Sequence, residues 1–370
     1  MSAASGESSL SSLLQAGDRR RAAGDCAGAR RAYDAALAEG LRRLRQGHPA
    51  AALARPLAIA YERLGDLRLS RGELDGARQA FEDALSQRCA LTATDRRADW
   101  AARERTVLLN RLASVRSARG DVRGALAAFE DVLRERRALA GPTGADPAAL
   151  RGVAVSLIHV GDARRALGRL RDAALTYGEA LLLCRRALSS RGESREALRD
   201  AALAYERVGD LRRRTRDLRG AREALETAQG LRRRLLAAAG RQDPRSLREL
   251  CVTAGLLGDL ARDEGRGGEA LAAYRDALDL ARRGLELRGD TPQTLRDACA
   301  ALARVGGALE LRGERAGARA HLDEALALAR RNLRAHPRLP AGCALLPYLL
   351  HAARRLRRAG GQADAGQGAL

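Results

Sequence analysis

A small residue recurs along this chain at nearly constant intervals, and this periodicity constrains the fold more than any other feature. The positions are Gly17, Gly65, Ala113, Gly161, Gly209, Gly258 and Gly306, separated by 48, 48, 48, 48, 49 and 48 residues. Alanine follows twelve residues later in every repeat, as Ala29, Ala77, Ala125, Ala173, Ala221, Ala270 and Ala318. A fixed period of this length is typical of stacked repeats, in which each unit buries its apolar face against its neighbours. The sequence therefore predicts one repetitive array within residues 8–336.

Each repeat contains two amphipathic helix patterns with a turn between them. Apolar residues lie one and four positions before the small residue, which places them on one helix face. The second pattern carries a large apolar or aromatic residue at Tyr33, Phe81, Phe129, Tyr177, Leu225, Tyr274 and Leu322. Glycine lies between the two patterns in six repeats, and Arg216 replaces it in the fifth. Asp146-Pro147, Asp243-Pro244 and Thr291-Pro292 are N-terminal capping pairs. We therefore predict an all-α fold of about seven antiparallel helix pairs.

The two ends of the chain lack the repeat pattern. Residues 337–358 read as one further helix that caps the C-terminal end of the stack. Residues 1–7 and 359–370 are small and polar, and we expect them to be disordered.

The repeat resembles the tetratricopeptide repeat (TPR). In the second repeat its motif is matched by Tyr61, Leu64, Gly65, Gly72, Ala77, Phe81 and Ala84. The period of 48 residues exceeds the family's usual 34. The tyrosine that usually follows the small glycine is replaced by residues such as Arg68, Arg164 and Arg212. The longer period is similar to kinesin light chain-like arrays and to TPR arrays associated with bacterial signalling. The resemblance implies a right-handed α-solenoid whose first helices line a concave, protein-binding groove.

Composition excludes several kinds of chemistry. The 67 basic residues are all arginine, so the lysine that P-loop enzymes, Schiff-base enzymes and protein kinases require is absent from the sequence. The 6 cysteines and 5 histidines follow no metal-ligand spacing. We therefore expect no enzymatic activity, no cofactor and no metal site. The sequence contains neither a signal-peptide pattern nor a long apolar stretch, which predicts a cytoplasmic protein without a membrane span.

Charged residues recur on the first helices. A candidate groove for a charged peptide contains Asp66, Asp162, Asp210 and Asp259 together with Arg63, Arg111, Arg207 and Arg304. Asp18 holds the equivalent aspartate position in the first repeat. The simpler interpretation is that arginines three residues later on the same helix, such as Arg165 and Arg213, neutralise these aspartates.

A second column of charge lies near the ends of the second helices. It comprises Arg136, Arg137, Arg185, Arg186, Arg233, Arg234, Arg282, Arg283, Arg330 and Arg331, and Arg42-Arg43 precede it. One interpretation is that these arginines complement the helix dipole. The alternative is a basic ridge that binds nucleic acid, anionic lipid or an acidic protein. The net charge of +21 also predicts non-specific attraction to anions.

Three functions are consistent with these patterns. The preferred one is a non-catalytic scaffold that binds a peptide or helical segment of another protein in the concave groove. The second is an electrostatic binder of nucleic acid or another polyanion, acting through the arginine ridge. The third, suggested by the bacterial arrays, is a regulatory arm for a separately encoded kinase or NTPase.

Overall fold

The computed structural model describes residues 2–92, 98–141, 146–191, 194–240, 242–335, 346–352 and 354–355, and helices and short turns account for nearly all of them. The repeat helices are α1 (Ser2–Ala22), α2 (Cys26–Arg45), α3 (Ala50–Ser70), α4 (Leu74–Thr92), α5 (Ala98–Ala118), α6 (Val122–Ala140), α7 (Pro147–Ala166), α8 (Leu170–Arg191), α9 (Arg195–Arg214), α10 (Leu218–Ala238), α11 (Pro244–Asp263), α12 (Gly267–Arg288), α13 (Pro292–Leu311) and α14 (Arg315–Ala335). A further helix, α15, includes residues 346–352. The prediction of an all-α helical repeat fold is confirmed.

Helices α1 to α8 pack in chain order, each against the next, and helices α10 to α14 do the same. Contacts divide the chain into two compact units, Met1–Asp200 (unit 1) and Ala201–Leu370 (unit 2). Tyr33 and Leu57 lie in an apolar cluster of unit 1. Tyr274 and Leu322 lie in an apolar cluster of unit 2. Each unit therefore has a core of its own.

The small residue allows the two helices of a repeat to approach closely. A Cβ atom placed on Gly161 would lie 2.4 Å from the Tyr177 ring, and one on Gly65 would lie 2.5 Å from the Phe81 ring. These distances are shorter than carbon atoms tolerate, so glycine is required wherever the facing ring lies this close. The aromatic residue in turn fills the space left by the missing side chain, since Tyr177 and Phe81 are both 0% exposed.

The turns and caps follow the sequence pattern. The glycines between paired helices have φ angles of 74° to 88°, in the left-handed region. Arg216 adopts the same conformation, with φ of 67°, in the repeat without that glycine. Asp146, Asp243 and Thr291 each cap a helix through a side-chain oxygen, with proline in the first turn. The predicted capping pairs are confirmed.

Arginine at the position of the usual TPR tyrosine connects the two helices of a repeat. Arg68 Nη1 donates to the carbonyl oxygen of Gly76 at 3.0 Å, and Arg212 Nη1 donates to that of Gly220 at 3.1 Å. The arginine near the end of the first helix is therefore hydrogen-bonded to the backbone in the first turn of the second helix.

The ends of the chain differ in part from expectation. α1 begins at Ser2, so residues 2–7, for which the sequence predicted disorder, continue the helix that Leu10 anchors in the core. α15 lies within the segment 337–358 predicted to cap the stack, and its Leu349 and Ala352 are buried in the core of unit 2. The predicted tail 359–370 and residues 337–345 lie outside the described residues.

Candidate functional site

The aspartates that follow the small residue lie at contacts between successive first helices. Arg63 Nε is 3.1 Å from Asp18, and Arg111 Nε is 3.3 Å from Asp66. In unit 2, Arg304 Nη2 is 3.1 Å from Asp259. An arginine two positions before the small residue thus pairs with the aspartate 45 residues earlier. These pairs connect neighbouring repeats, so these predicted groove residues already have partners within the fold.

Pairing within one helix accounts for further contacts of the aspartate column. Arg213 lies 3.2 Å from Asp210, and Arg165 lies 4.0 Å from Asp162. Arg21 does not follow this pattern, because it lies 3.6 Å from Asp66 of the next repeat. Arg207, predicted to lie in the groove, has Nη1 at 2.8 Å from Glu206 on its own helix.

Tyrosine hydroxyls also hold the aspartate column. Tyr33 donates to Asp18 at 2.8 Å, and the same bond joins Tyr177 to Asp162 at 2.6 Å and Tyr274 to Asp259 at 2.8 Å. Burial, with the adjacent carboxylate, raises the pKa of Tyr33 to about 12. Sequence reasoning missed these bonds. A signal for them was present, because the large apolar position of the second helix is tyrosine only in repeats whose small residue is followed by aspartate.

A cavity of about 970 Å³ in unit 2 is lined by residues of α11, α12 and α13 and by residues in and beside α15. Ala300, Ala303, Gly307 and Ala308 of α13 are among its lining residues. Because these side chains are small, the backbone of an incoming chain can approach α13 closely.

The rim of this cavity combines exposed apolar groups with charge. Leu311 is 77% exposed and Tyr348 is 49% exposed, and both line the cavity. Large apolar side chains with this exposure are typical of recognition surfaces when they border a concave site. Sequence reasoning missed both residues, because neither occupies a repeated position.

The arginines that line the cavity have acidic partners but remain partly exposed. Asp259 is 8% exposed and is contacted by Tyr274, Arg304 and Arg262, whereas Arg355 pairs with Glu310 at 2.7 Å. The lining contains three arginines and two carboxylates, and Arg262 has a further partner outside the lining, Asp263, at 3.2 Å. Of the predicted groove residues, only Asp259 and Arg304 line this cavity.

The predicted ridge residues are exposed with one exception. Arg137, Arg185, Arg186, Arg233, Arg234, Arg282, Arg283, Arg330 and Arg331 are exposed on the second helices. Several have acidic partners one repeat further along, as in Arg137 with Glu179 at 2.5 Å and Arg282 with Glu324 at 3.0 Å. Arg136 does not belong to the ridge, because its guanidinium points inward and bonds to α5 and α7.

The helix-dipole interpretation of the ridge is wrong for most helices. α8 continues to Arg191, more than one turn beyond Arg185 and Arg186, and the last turn of α10 contains no basic residue. The second helices extend further than the arginine pairs suggested. Complementing the helix dipole explains only those arginines that lie in the last turn of a second helix, such as Arg137 in α6.

The described residues were also compared with the requirements of a metal site, a membrane span and a nucleophilic cysteine. They contain no cluster of three or more histidine, cysteine or acidic side chains that could hold a metal ion. Among them, no helix is long and apolar enough to cross a membrane. Burial raises the pKa of the Cys184 and Cys251 thiols to about 12, so these cysteines are weak nucleophiles.

Comparison with known proteins identifies the fold. No protein-family profile and no curated protein matches the sequence. The crystal structure of BtubC (BKLC) from P. vanneervenii is 16% identical with a TM-score of 0.53, over 70% of this chain and 91% of that one. The crystal structure of the apo form of RapI is 11% identical with a TM-score of 0.55, over 88% of this chain and 98% of that one. At these identities the two likenesses show the fold alone, which is a TPR-like α-solenoid of helix pairs.

Proposed function

We propose that the chain is a non-catalytic interaction scaffold that holds a peptide or helical segment of another protein in the unit 2 cavity. The observation that carries this proposal is the cavity of about 970 Å³, with small side chains on α13 and exposed apolar groups at its rim. The volume is at the upper end of the range for binding pockets, which suits a segment of chain better than a small metabolite.

The charge of the cavity favours an acidic partner. Arg262 lies between Asp259 and Asp263, Arg304 lies 3.1 Å from Asp259, and the two arginine side chains are 48% and 36% exposed, so both keep guanidinium surface that a partner can reach. An acidic side chain on the partner would gain charge-assisted hydrogen bonds from these guanidinium groups. An apolar side chain beside it would cover Leu311 and Tyr348. The partner is therefore an amphipathic segment with an acidic face.

Fluorescence polarisation tests the proposal. The probe is a labelled amphipathic peptide of about 12 residues, with leucine at helical spacing and glutamate on the adjacent face. The blocking variant is Gly307→Trp, since a Cβ on Gly307 has only the Tyr348 hydroxyl near it, at 3.6 Å. The matched control is Gly230→Trp in α10, whose added Cβ would meet no atom within 4 Å.

The proposal expects wild type and Gly230→Trp to bind the peptide equally, and Gly307→Trp to lose binding. A counterpart peptide with lysine in place of glutamate should bind more weakly. Equal binding by Gly307→Trp would contradict the proposal. If Gly307→Trp binds the peptide as tightly as the wild type and the affinity falls steeply as the salt concentration rises, the arginine ridge is favoured as a polyanion site. Regulation of a separately encoded kinase or NTPase remains a hypothesis from the sequence.

A further inference from the structure

Three repeats place an arginine where the others have a small residue. Arg88, Arg136 and Arg232 lie 23 positions after the small residue of their repeats. The other repeats have Gly40, Cys184, Ala281 and Ala329 at this position. Each of the three guanidinium groups points between its own repeat and the next, so each must find partners inside the fold.

Two of these arginines are neutralised by buried or half-buried carboxylates. Arg88, 5% exposed, contacts Glu104 of the next repeat and lies 3.9 Å from Glu62 of its own. Arg232, 4% exposed, lies 2.6 Å from Glu206. A buried guanidinium requires such compensation, because an unpaired charge is costly to remove from water.

Arg136 has neutral partners at every corresponding position. Its Nε donates to Thr106 at 3.0 Å, and its Nη1 donates to the Gly152 carbonyl at 2.8 Å and to Ser156 at 3.1 Å. The Asn110 amide, with its oxygen facing the guanidinium, accepts at 3.0 Å from Nη2. Burial lowers the pKa of Arg136 to about 10, so the side chain is still a cation at neutral pH.

A comparison with the preceding repeat shows what is missing. Asn110 occupies the position of Glu62, and Gly152 occupies the position of Glu104, each 48 residues further along. Both carboxylates that neutralise Arg88 are thus replaced by uncharged residues around Arg136. Gly152 has no side chain to fill the space that Glu104 occupies beside Arg88.

A cavity of about 170 Å³ lies at this place, with Arg136 and Gly152 among its lining residues. Val107, Leu139, Ala148 and Ala149 give it apolar walls, and Val107 is 38% exposed, so the cavity reaches solvent. Arg103 also lines the cavity, but it pairs with Asp146 at 2.9 Å and adds no net charge. Among the residues that the structure describes, no carboxylate pairs with Arg136, so the cavity carries the charge of this one guanidinium group.

We infer that this cavity in unit 1 binds a small carboxylate with a compact apolar body. The carboxylate takes the place that Glu104 holds in the preceding repeat, and the apolar body packs between Val107 and Leu139. A cavity of this size holds a molecule comparable to benzene. The site is separate from the peptide site proposed in unit 2.

The test uses the full chain with sodium benzoate as the probe and benzamide as its neutral counterpart, at constant ionic strength. Thermal unfolding and isothermal titration calorimetry report binding. Benzoate should raise the Tm of the wild type saturably, and benzamide should not. Arg136→Gln should weaken benzoate binding by at least about tenfold, since hydrogen bonds to a charged group are among the stronger ones.

A second variant keeps the test decisive if Arg136→Gln fails to fold. Gly152→Glu restores the residue type of the preceding repeat, and the new Cβ would make ordinary contact with Arg136 Cδ at 3.5 Å. This variant should have a higher Tm than the wild type without benzoate and should show no response to benzoate. Gly178→Glu in α8, whose Cβ would meet no atom within 4 Å, should respond as the wild type does. Equal effects of benzoate and benzamide, no effect of either, or a full benzoate response in Gly152→Glu would overturn the inference.

Discussion

Replacing one member of the buried pair between Arg232 and Glu206 should destabilise the protein far more than replacing both. The two side chains are 4% and 2% exposed, and 2.6 Å separates their charged atoms. Glu206→Leu leaves the Arg232 guanidinium buried without its carboxylate, which costs about 3–5 kcal/mol. Arg232→Met leaves the carboxylate buried in the same way, although Arg207 at 2.8 Å still contacts it.

The double variant removes both charges, and its free energy of unfolding should lie within about 1 kcal/mol of the wild-type value. Repeats with apolar residues at both positions, such as Cys184 with Ile158, show that the fold accommodates this combination. Equilibrium unfolding in urea, followed by circular dichroism, measures the three variants. If the free energy of unfolding of the double variant falls by the sum of the two single-variant losses, the reasoning is refuted, because the two side chains would then act independently.

Three further predictions test local features of the repeats. Arg216→Gly should raise the free energy of unfolding by roughly 0.5–1 kcal/mol, because it relieves a left-handed backbone conformation at φ of 67°; urea unfolding measures the change. Gly161→Ala should lower the free energy of unfolding by about 1–3 kcal/mol in the same assay, because its Cβ would lie 2.4 Å from the Tyr177 ring. Gly178→Ala, whose Cβ would meet no atom within 4 Å, should raise the free energy of unfolding. An unchanged free energy of unfolding in Gly161→Ala would contradict the packing argument. The free energy of unfolding should fall as pH rises from about 10 to 12, because the unfolded state loses the protons of Tyr33, Tyr177 and Tyr274 before the folded state does; Tyr33→Phe should make the fall of Tm with pH shallower, by the share of one tyrosine.

Features that depend on local sequence could be predicted, because a period of 48 residues repeats the same contacts seven times. The cap at Thr291 follows from residue chemistry at one place in the chain, whereas the left-handed turn at Arg216 follows from its register in the repeat, because arginine does not itself favour that conformation. The buried Arg232 could not be predicted, because an arginine on a helix is ordinarily exposed and its burial depends on Glu206, 26 residues away. The cavity beside Tyr348 depends on how a helix outside the repeat pattern packs, which periodicity does not specify.

Hydrogen exchange measured by mass spectrometry on the full chain, with and without the acidic amphipathic peptide, tests the proposed peptide site most directly. Exchange reports the opening of individual segments, so it separates the cavity of unit 2 from the arginine ridge. The proposal predicts slower exchange in residues 300–311 of α13 and residues 346–355 around α15 when the peptide is bound, with α8 and α10 unchanged. Slower exchange confined to the arginine pairs of α8 and α10, with α13 unaffected, would contradict it.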